Sequence, residues 1–231
     1  MIVTIDGPAG AGKSTVAREL ARRLGFRFLD TGAMYRTVAL AAVQRSYDLE
    51  DQERLAALSR EISIELRENQ VLLDGQDVTR DIRTTEITAA TQYAANNVGV
   101  RRHLVELQRD LGKGGDVVTE GRDQGTIVFP DAACKIFLTA SAEERARRRA
   151  MDLADRGEHA SEKQVLADQN RRDQQDASRA VGPLVPANDA IEVQTDGLKL
   201  EEVVDRLEQL VRERIGDRGG TRDARRGASN S

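Results

Sequence analysis

Apolar positions along the chain fall into short runs separated by longer amphipathic stretches, and that alternation sets the expected fold. Ile2-Val3-Thr4-Ile5 is a compact apolar run broken at Gly7-Pro8, the pattern of a buried strand. A helix is predicted from about Ser14 to Leu24, with Gly25 as its stop, then a second strand over Phe26 to Asp30. Thr31 is read as the cap of a helix running to about Arg45. Further apolar runs at Val117-Val118, Ile136-Phe137-Leu138 and Ile191-Glu192-Val193 are each followed by a helix or loop signal. Ser141 with Glu144, and Ser161 with Gln164, have the spacing of capping boxes. Leu200, Val203, Val204, Leu207, Leu210, Val211 and Ile215 recur at helical spacing in the last helix. Strands alternating with helices predict a doubly wound α/β fold around a five-stranded parallel sheet.

The middle of the chain breaks this rhythm. Ile62-Ser63-Ile64-Glu65-Leu66 and Val71-Leu72-Leu73 are short alternating runs, which predict a small antiparallel hairpin inside an insert over about residues 48–83. The stretch 216–231 is rich in Gly, Arg and Asp, with Ala224 and Ala228 as its only hydrophobic side chains. Such a composition buries too little to offset the entropy of ordering, so a disordered tail is expected after a core of residues 1–215.

Charge and composition exclude several classes of function. Thirty-five Lys and Arg against 39 Asp and Glu leave a net charge of −4, unsuited to sequence-independent binding of nucleic acid. One cysteine, Cys134, excludes an internal disulfide framework, and two histidines with one cysteine exclude a Cys/His zinc site. No apolar stretch approaches the roughly 20 residues of a membrane span, and the N-terminal MIVTID has neither a basic region nor a signal core. A cytoplasmic, monomeric protein without membrane or nucleic-acid partners is the resulting expectation.

The strongest chemical signal is Gly7-Pro8-Ala9-Gly10-Ala11-Gly12-Lys13-Ser14, which satisfies G-x-x-x-x-G-K-[ST] and lies between a strand and a helix, where a phosphate cradle belongs. Glycines let the backbone wrap a phosphate and turn its N–H groups inward, and the helix N-terminus adds roughly half a positive charge. Residues Gly7 to Thr15 are thus the candidate site for the phosphates of a nucleotide, as in switch GTPases, ATPases, motor proteins and small kinases alike. Lys13 would meet the β- and γ-phosphates as a catalytic charge, and the Ser14 hydroxyl would ligate Mg2+. No N-K-x-D base-reading motif is present, which weakens a switch GTPase reading.

The second substrate's side must name the reaction. Asp30-Thr31-Gly32-Ala33-Met34-Tyr35-Arg36 ends the second strand, and ligands of this fold class gather at the carboxyl ends of strands, so Arg36 and Tyr35 would face the same crevice as the cradle. Glu120-Gly121-Arg122-Asp123-Gln124-Gly125 sets an Arg-Asp pair between glycines at the end of the third strand, suited to holding a transferring phosphate and accepting from a base amino group. Arg145, Arg147, Arg148 and Arg149 crowd one short helix, read as part of a mobile lid over about residues 145–165 with Arg156-Gly157-Glu158-His159 as its hinge or tip. Arg172, Asp176 and Arg179 have the spacing of one helix face, suited either to a surface salt-bridge row or to sugar and phosphate contacts.

Five separated stretches, IDGPAGAGKST, LDTGAMYR, GRDQGTIVFPDA, ERARRRAMDLADRG and RRDQQDASRAVGPLVPANDAI, together resemble bacterial cytidylate kinases of the nucleoside-monophosphate kinase group of P-loop proteins, over roughly residues 1–215. The resemblance implies a three-layer P-loop fold with a helical lid and a small antiparallel β insert in the monophosphate-binding region. It implies transfer of the ATP γ-phosphate to CMP or dCMP with Mg2+, giving ADP and CDP or dCDP, in pyrimidine nucleotide metabolism. It would put Thr31, Thr91, Arg101 and Asp123 at the cytosine, Arg36 and Arg122 on phosphate with Tyr35 lining the same pocket, Arg172, Asp176 and Arg179 on sugar and phosphate, and Arg148 in the lid. Lys13, Arg122 and Arg148 would be the catalytic residues. A P-loop kinase for UMP, AMP or shikimate, and a non-catalytic nucleotide switch, are the alternatives.

Overall fold

The computed structural model describes residues 1–67, 69–155, 157 and 160–226, with side chains to residue 216. Strand β1 (Ile2–Asp6) leads into helix α1 (Lys13–Leu24), β2 (Arg27–Asp30) and α2 (Thr31–Gln44). Helix α3 (Gln52–Glu61) precedes the short strands β3 (Ile64–Leu66), β4 (Val71–Leu73) and β5 (Gln76–Asp77). Helices α4 (Thr85–Asn96) and α5 (Val98–Gly112) follow, then β6 (Val117–Gly121), β7 (Cys134–Thr139), α6 (Ala142–Ala154), α7 (Glu162–Ala177), β8 (Ile191–Gln194) and α8 (Leu200–Arg226).

The five longer strands form one parallel sheet in the order β2-β6-β1-β7-β8. Parallel pairing needs a crossover between consecutive strands, supplied by helices after β1, β2 and β7 and by the segment 122–133 after β6. Register then does the functional work. Ile5 pairs with Glu120, Asp6 with Gly121 and Asp30 with Glu120, so the carboxyl ends of three strands meet along one rim. Val3, Ile5, Val118, Ile136 and Leu138 pack against Leu20 of α1 and Val204, Leu207 and Val211 of α8. A second core joins Val38 and Met34 of α2 to Leu55, Leu58, Ile87 and Leu104.

The insert is a three-stranded antiparallel sheet, not a two-stranded hairpin. The third strand follows a two-residue turn at Asp74-Gly75, both with positive φ, the primed hairpin geometry that an Asp-Gly pair favours. Its buried Val71, Leu73, Val78 and Ile82 join the same core as α2 and α4, so the insert shares its packing with the rest of the chain.

Other expectations are corrected. Asp30, not Thr31, caps α2: its carboxylate accepts the Ala33 N–H at 2.8 Å, while the Thr31 hydroxyl donates to the Glu120 carbonyl at 2.6 Å. Ser161 and Gln164 form a complete capping box, but Ser141 and Glu144 do not. The Ser141 N–H is taken by Asp196 and the Glu144 carboxylate by Arg147 and Arg148, charge-assisted bonds that outcompete the reciprocal cap. The tail expected to lack structure from residue 216 instead continues α8 to Arg226; extending a formed helix adds one hydrogen bond per residue without a new nucleus, and no proline interrupts it. Residues 227–231, and residues 156, 158 and 159 of the expected lid hinge, lie outside the described residues. Val211 is the last buried apolar residue among the described side chains of α8, so deleting residues 216–231 is expected to leave the melting temperature unchanged. A clear drop in a thermal melt would show that the extension carries packing.

Candidate functional site

The loop between β1 and α1 is shaped by close backbone packing. Gly7 has φ +150°, and a Cβ there would stand 1.9 Å from the Leu138 carbonyl oxygen on β7, so no side chain fits. Gly12, at the N-cap of α1, offers no side chain to cap the first turn, which leaves that turn's amides to be satisfied by an anion. Lys13 is buried beneath the loop and donates to the Pro8 carbonyl at 2.7 Å. Burial, and then the positive charge of Arg122, push its ammonium down to about 7. The Ser14 hydroxyl donates to Glu120 Oε1 at 2.8 Å, so a hydroxyl and a carboxylate stand together at the end of β6. One hydroxyl and one carboxylate, with phosphate and water completing the shell, is a donor set that suits Mg2+. No group of three or more acidic, His or Cys side chains that could hold a metal by itself occurs among the described residues.

Across the crevice the carboxylates serve as holders of guanidinium groups. Asp30 binds Arg36 Nη2 at 3.1 Å and Arg83 Nη2 at 3.1 Å. Asp176 Oδ2 accepts Arg122 Nε at 2.8 Å and its Oδ1 binds Arg179, whose Nε donates to Asn96 at 2.8 Å. Burial works against the charge on Asp176, yet Arg122 and Arg179 hold its carboxyl below the usual range. Arg179 lies just past the end of α7 rather than on its face, and reaches back by one turn to Asp176. Arg172 presents exposed surface, yet desolvation and then the charges of Arg122, Arg36 and Arg179 push it down to about 10. Lys13 feels Arg122 and Arg172, and Arg172 feels Arg36 and Arg179, so five cations form one field across the crevice. Asp30 and Asp176 are each shared between two of the guanidinium groups here, and Arg36 Nε is buried without a hydrogen-bond partner.

Deeper in, Arg101 and Asp123 form a buried ion pair, with Arg101 Nη1 also donating to the Ala95 carbonyl at 3.2 Å. Burial outweighs Arg101 and Arg179 and raises the Asp123 carboxyl above its ordinary range. The Arg101 guanidinium stands 5.7 Å from the ring centre of Tyr35, whose phenol burial pushes up to about 12. The Thr91 hydroxyl is engaged within α4, donating to the Ile87 carbonyl at 2.6 Å.

The lid arginines divide. Arg148 donates to the Thr195 hydroxyl at 3.0 Å and the Thr195 carbonyl at 2.6 Å, and its Nη1 lies 4.0 Å from the position of a Cβ on Gly12. Arg147 is exposed and paired with Glu144. Arg145, read with its neighbours as part of the lid, is buried, with partners on the donor loop and α7. The structure therefore brings together the cradle, Thr31, Tyr35, Arg36, Arg101, Arg122, Asp123, Arg172, Asp176, Arg179 and Arg148. Sequence reasoning missed Arg83, Asp30 and Asp173; for Asp30 the signal was present, because an Asp at a strand end before a helix is a standard cap.

The cytidylate kinase family model matches residues 3–213 of this chain. A cytidylate kinase of Rhodopirellula baltica is 50% identical over 213 residues, covering 92% of this chain and 93% of that protein. One of Pelotomaculum thermopropionicum is 51% identical over 207 residues, covering 87% of this chain and 92% of that protein. A bifunctional pantoate ligase/cytidylate kinase of Synechococcus elongatus is 50% identical over 226 residues, covering 94% of this chain but 43% of that longer protein.

Proposed function

The chain belongs to the cytidylate kinase family and transfers phosphate from ATP to CMP, and on that premise we propose how its own residues divide the work. The donor triphosphate lies on Gly7 to Thr15, with Lys13 against its outer phosphates. The acceptor phosphate lies among Arg36, Arg122 and Arg179, with Arg83 joining them through the shared Asp30 carboxylate. Arg172 and Asp176 face the sugar, and Thr31, Thr91, Tyr35, Arg101 and Asp123 form the base pocket. The single observation that carries this reading is the placement of Lys13 under the donor loop opposite Arg36, Arg122 and Arg179, which Asp30 and Asp176 hold along the same rim, since like charges so gathered call for anions on both sides of the crevice.

The chemistry asks for little else. An oxygen of the CMP phosphate attacks the γ-phosphorus of ATP, the bond from γ-phosphorus to the β-γ bridging oxygen breaks, and ADP leaves. The attacking oxygen is already ionised, so no general base is needed; positioning and charge neutralisation do the rest. Residues 145–165 act as the lid, with Arg148 as its catalytic arginine, and closure excludes water as a competing acceptor. Ser14, with Glu120 beside it, would hold Mg2+, which would supply further neutralisation of the donor phosphates. Exposed large apolar side chains such as Val98, Met151 and Val185 are spread over separate elements, which supports a monomer.

An assay of ADP release across CMP, dCMP, UMP, AMP and shikimate tests the assignment. CMP and dCMP should be turned over fastest, and Arg83→Ala should raise the KM for CMP roughly tenfold, as loss of one charge-assisted bond implies, with the KM for ATP unchanged. Preference for another acceptor, or slow hydrolysis indifferent to any acceptor, would refute the reading.

A further inference from the structure

Both polar groups of Ala9, on the donor loop, are held from the α6–α7 helix pair. Arg145 Nη1 donates to the Ala9 carbonyl at 2.9 Å and to Asp173 Oδ2 at 2.5 Å, while Asp173 Oδ1 accepts the Ala9 N–H at 3.3 Å. Arg145 Nε donates to the Ala140 carbonyl at 3.1 Å, and Gln169 Nε2 donates to the Arg145 carbonyl at 3.2 Å. The packing continues to the next residue: a Cβ on Gly10, at φ +79°, would stand 2.5 Å from Gln169 Nε2 and 3.2 Å from Arg145 Cβ. The rim of the donor loop is thus fitted against two side chains of α7 and one of α6.

Asp173 directly follows Arg172 and lies three residues before Asp176, so all three occupy adjoining positions on one stretch of α7. Arg172 and Asp176 face the acceptor crevice through Arg122, whereas Asp173 faces the donor loop. A hydrogen-bonded helical turn moves as a unit. A shift of that turn when an acceptor binds must therefore carry Asp173 with it, and with Asp173 the Arg145 guanidinium and the Ala9 peptide.

We propose that Arg145 and Asp173 are positioning residues that form a latch, making the shape of the donor loop depend on whether CMP occupies the crevice beside α7, so that CMP tightens ATP binding. The proposal rests on the acceptor site assigned above. Coupling of this kind is reciprocal, so ATP tightens CMP to the same degree.

Titration calorimetry with β,γ-imido-ATP and Mg2+, with and without saturating CMP, reads the latch directly. In the parent protein CMP should strengthen binding of the analogue at least about fivefold. Asp173→Asn keeps an oxygen for the Ala9 N–H but removes the charge that holds Arg145, and should bring that factor close to one while binding of CMP alone is unchanged. Arg145→Lys, which keeps the charge but loses the forked geometry, should do the same. Cooperative melting of either variant qualifies it, and steady-state kinetics should show the KM for ATP at saturating CMP rising more than kcat falls. An undiminished factor in a folded variant, or no coupling in the parent protein, overturns the latch. Failure of the parent protein to bind CMP is a different result, and removes the acceptor site itself.

Discussion

Lys13→Met is expected to cut turnover by about a thousandfold, the order associated with losing one preorganised charge at a developing anion, while raising the melting temperature of the ligand-free protein at pH 7. The second effect follows from burial. The folded protein holds the Lys13 ammonium down to about 7, whereas an exposed lysine titrates at 10.5. The charged form is therefore disfavoured by folding. Below about pH 7 both states bind the proton and the full penalty applies; between 7 and 10.5 the unfolded chain binds more protons, so stability rises with pH. The desolvation of the buried ammonium works against folding, and methionine escapes it at the loss of one bond to the Pro8 carbonyl, worth about 1 kcal/mol. Methionine fills similar space without a charge. Scanning calorimetry at pH 7 and pH 9 should show the parent protein gaining stability on going to pH 9 and the variant showing no such gain. A variant that melts lower than its parent at pH 7 would show that Lys13 is satisfied by its present partners, and near-normal turnover would remove it from the transition state.

Lys13 belongs to the side of the site that was legible in the sequence. The cradle is local: eight consecutive residues after an apolar run specify it, and the parallel sheet follows from apolar runs of strand length separated by helices. The acceptor side is assembled from distant pieces. Asp176 finds Arg122 across 54 residues, Arg145 finds Ala9 across 136, and Arg83 reaches Asp30 across 53. No local pattern marks such pairs, so Asp173 did not stand out in the sequence and Arg145 read as one arginine of the lid cluster. Burial decides these roles, and burial is a property of what packs on top. Helix α7 packs on α6 through Val165, Leu153 and Ala146, a small apolar contact in a segment whose sequence is mostly charged. The same limit applies to Asp30: its position suggested a cap, but nothing near it in sequence announced that its second oxygen would hold an arginine from the insert.

Asp123→Ala should damage both stability and acceptor use, and a second substitution separates the two. Arg101 and Asp123 are each under 5% exposed, and Tyr35 closes over the guanidinium. Removing the carboxylate leaves Arg101 buried without its counterion, a loss that costs about 3–5 kcal/mol, whereas replacing both members of a buried pair by apolar groups is often close to neutral. The single variant is therefore expected to melt far below the parent protein and to need much more CMP, with its requirement for ATP little changed. Adding Arg101→Met should recover most of the melting temperature, because the stranded charge is gone. It should not recover the use of CMP, because the pocket then offers an apolar wall where the cytosine edge needs a carboxylate to accept from its amino group and a guanidinium to donate to its carbonyl. Thermal melts and the KM for each substrate, measured on the same three proteins, decide the matter. If the double variant regained CMP use along with stability, the pair would be a structural strut, and the base-reading groups would have to be sought elsewhere along the crevice.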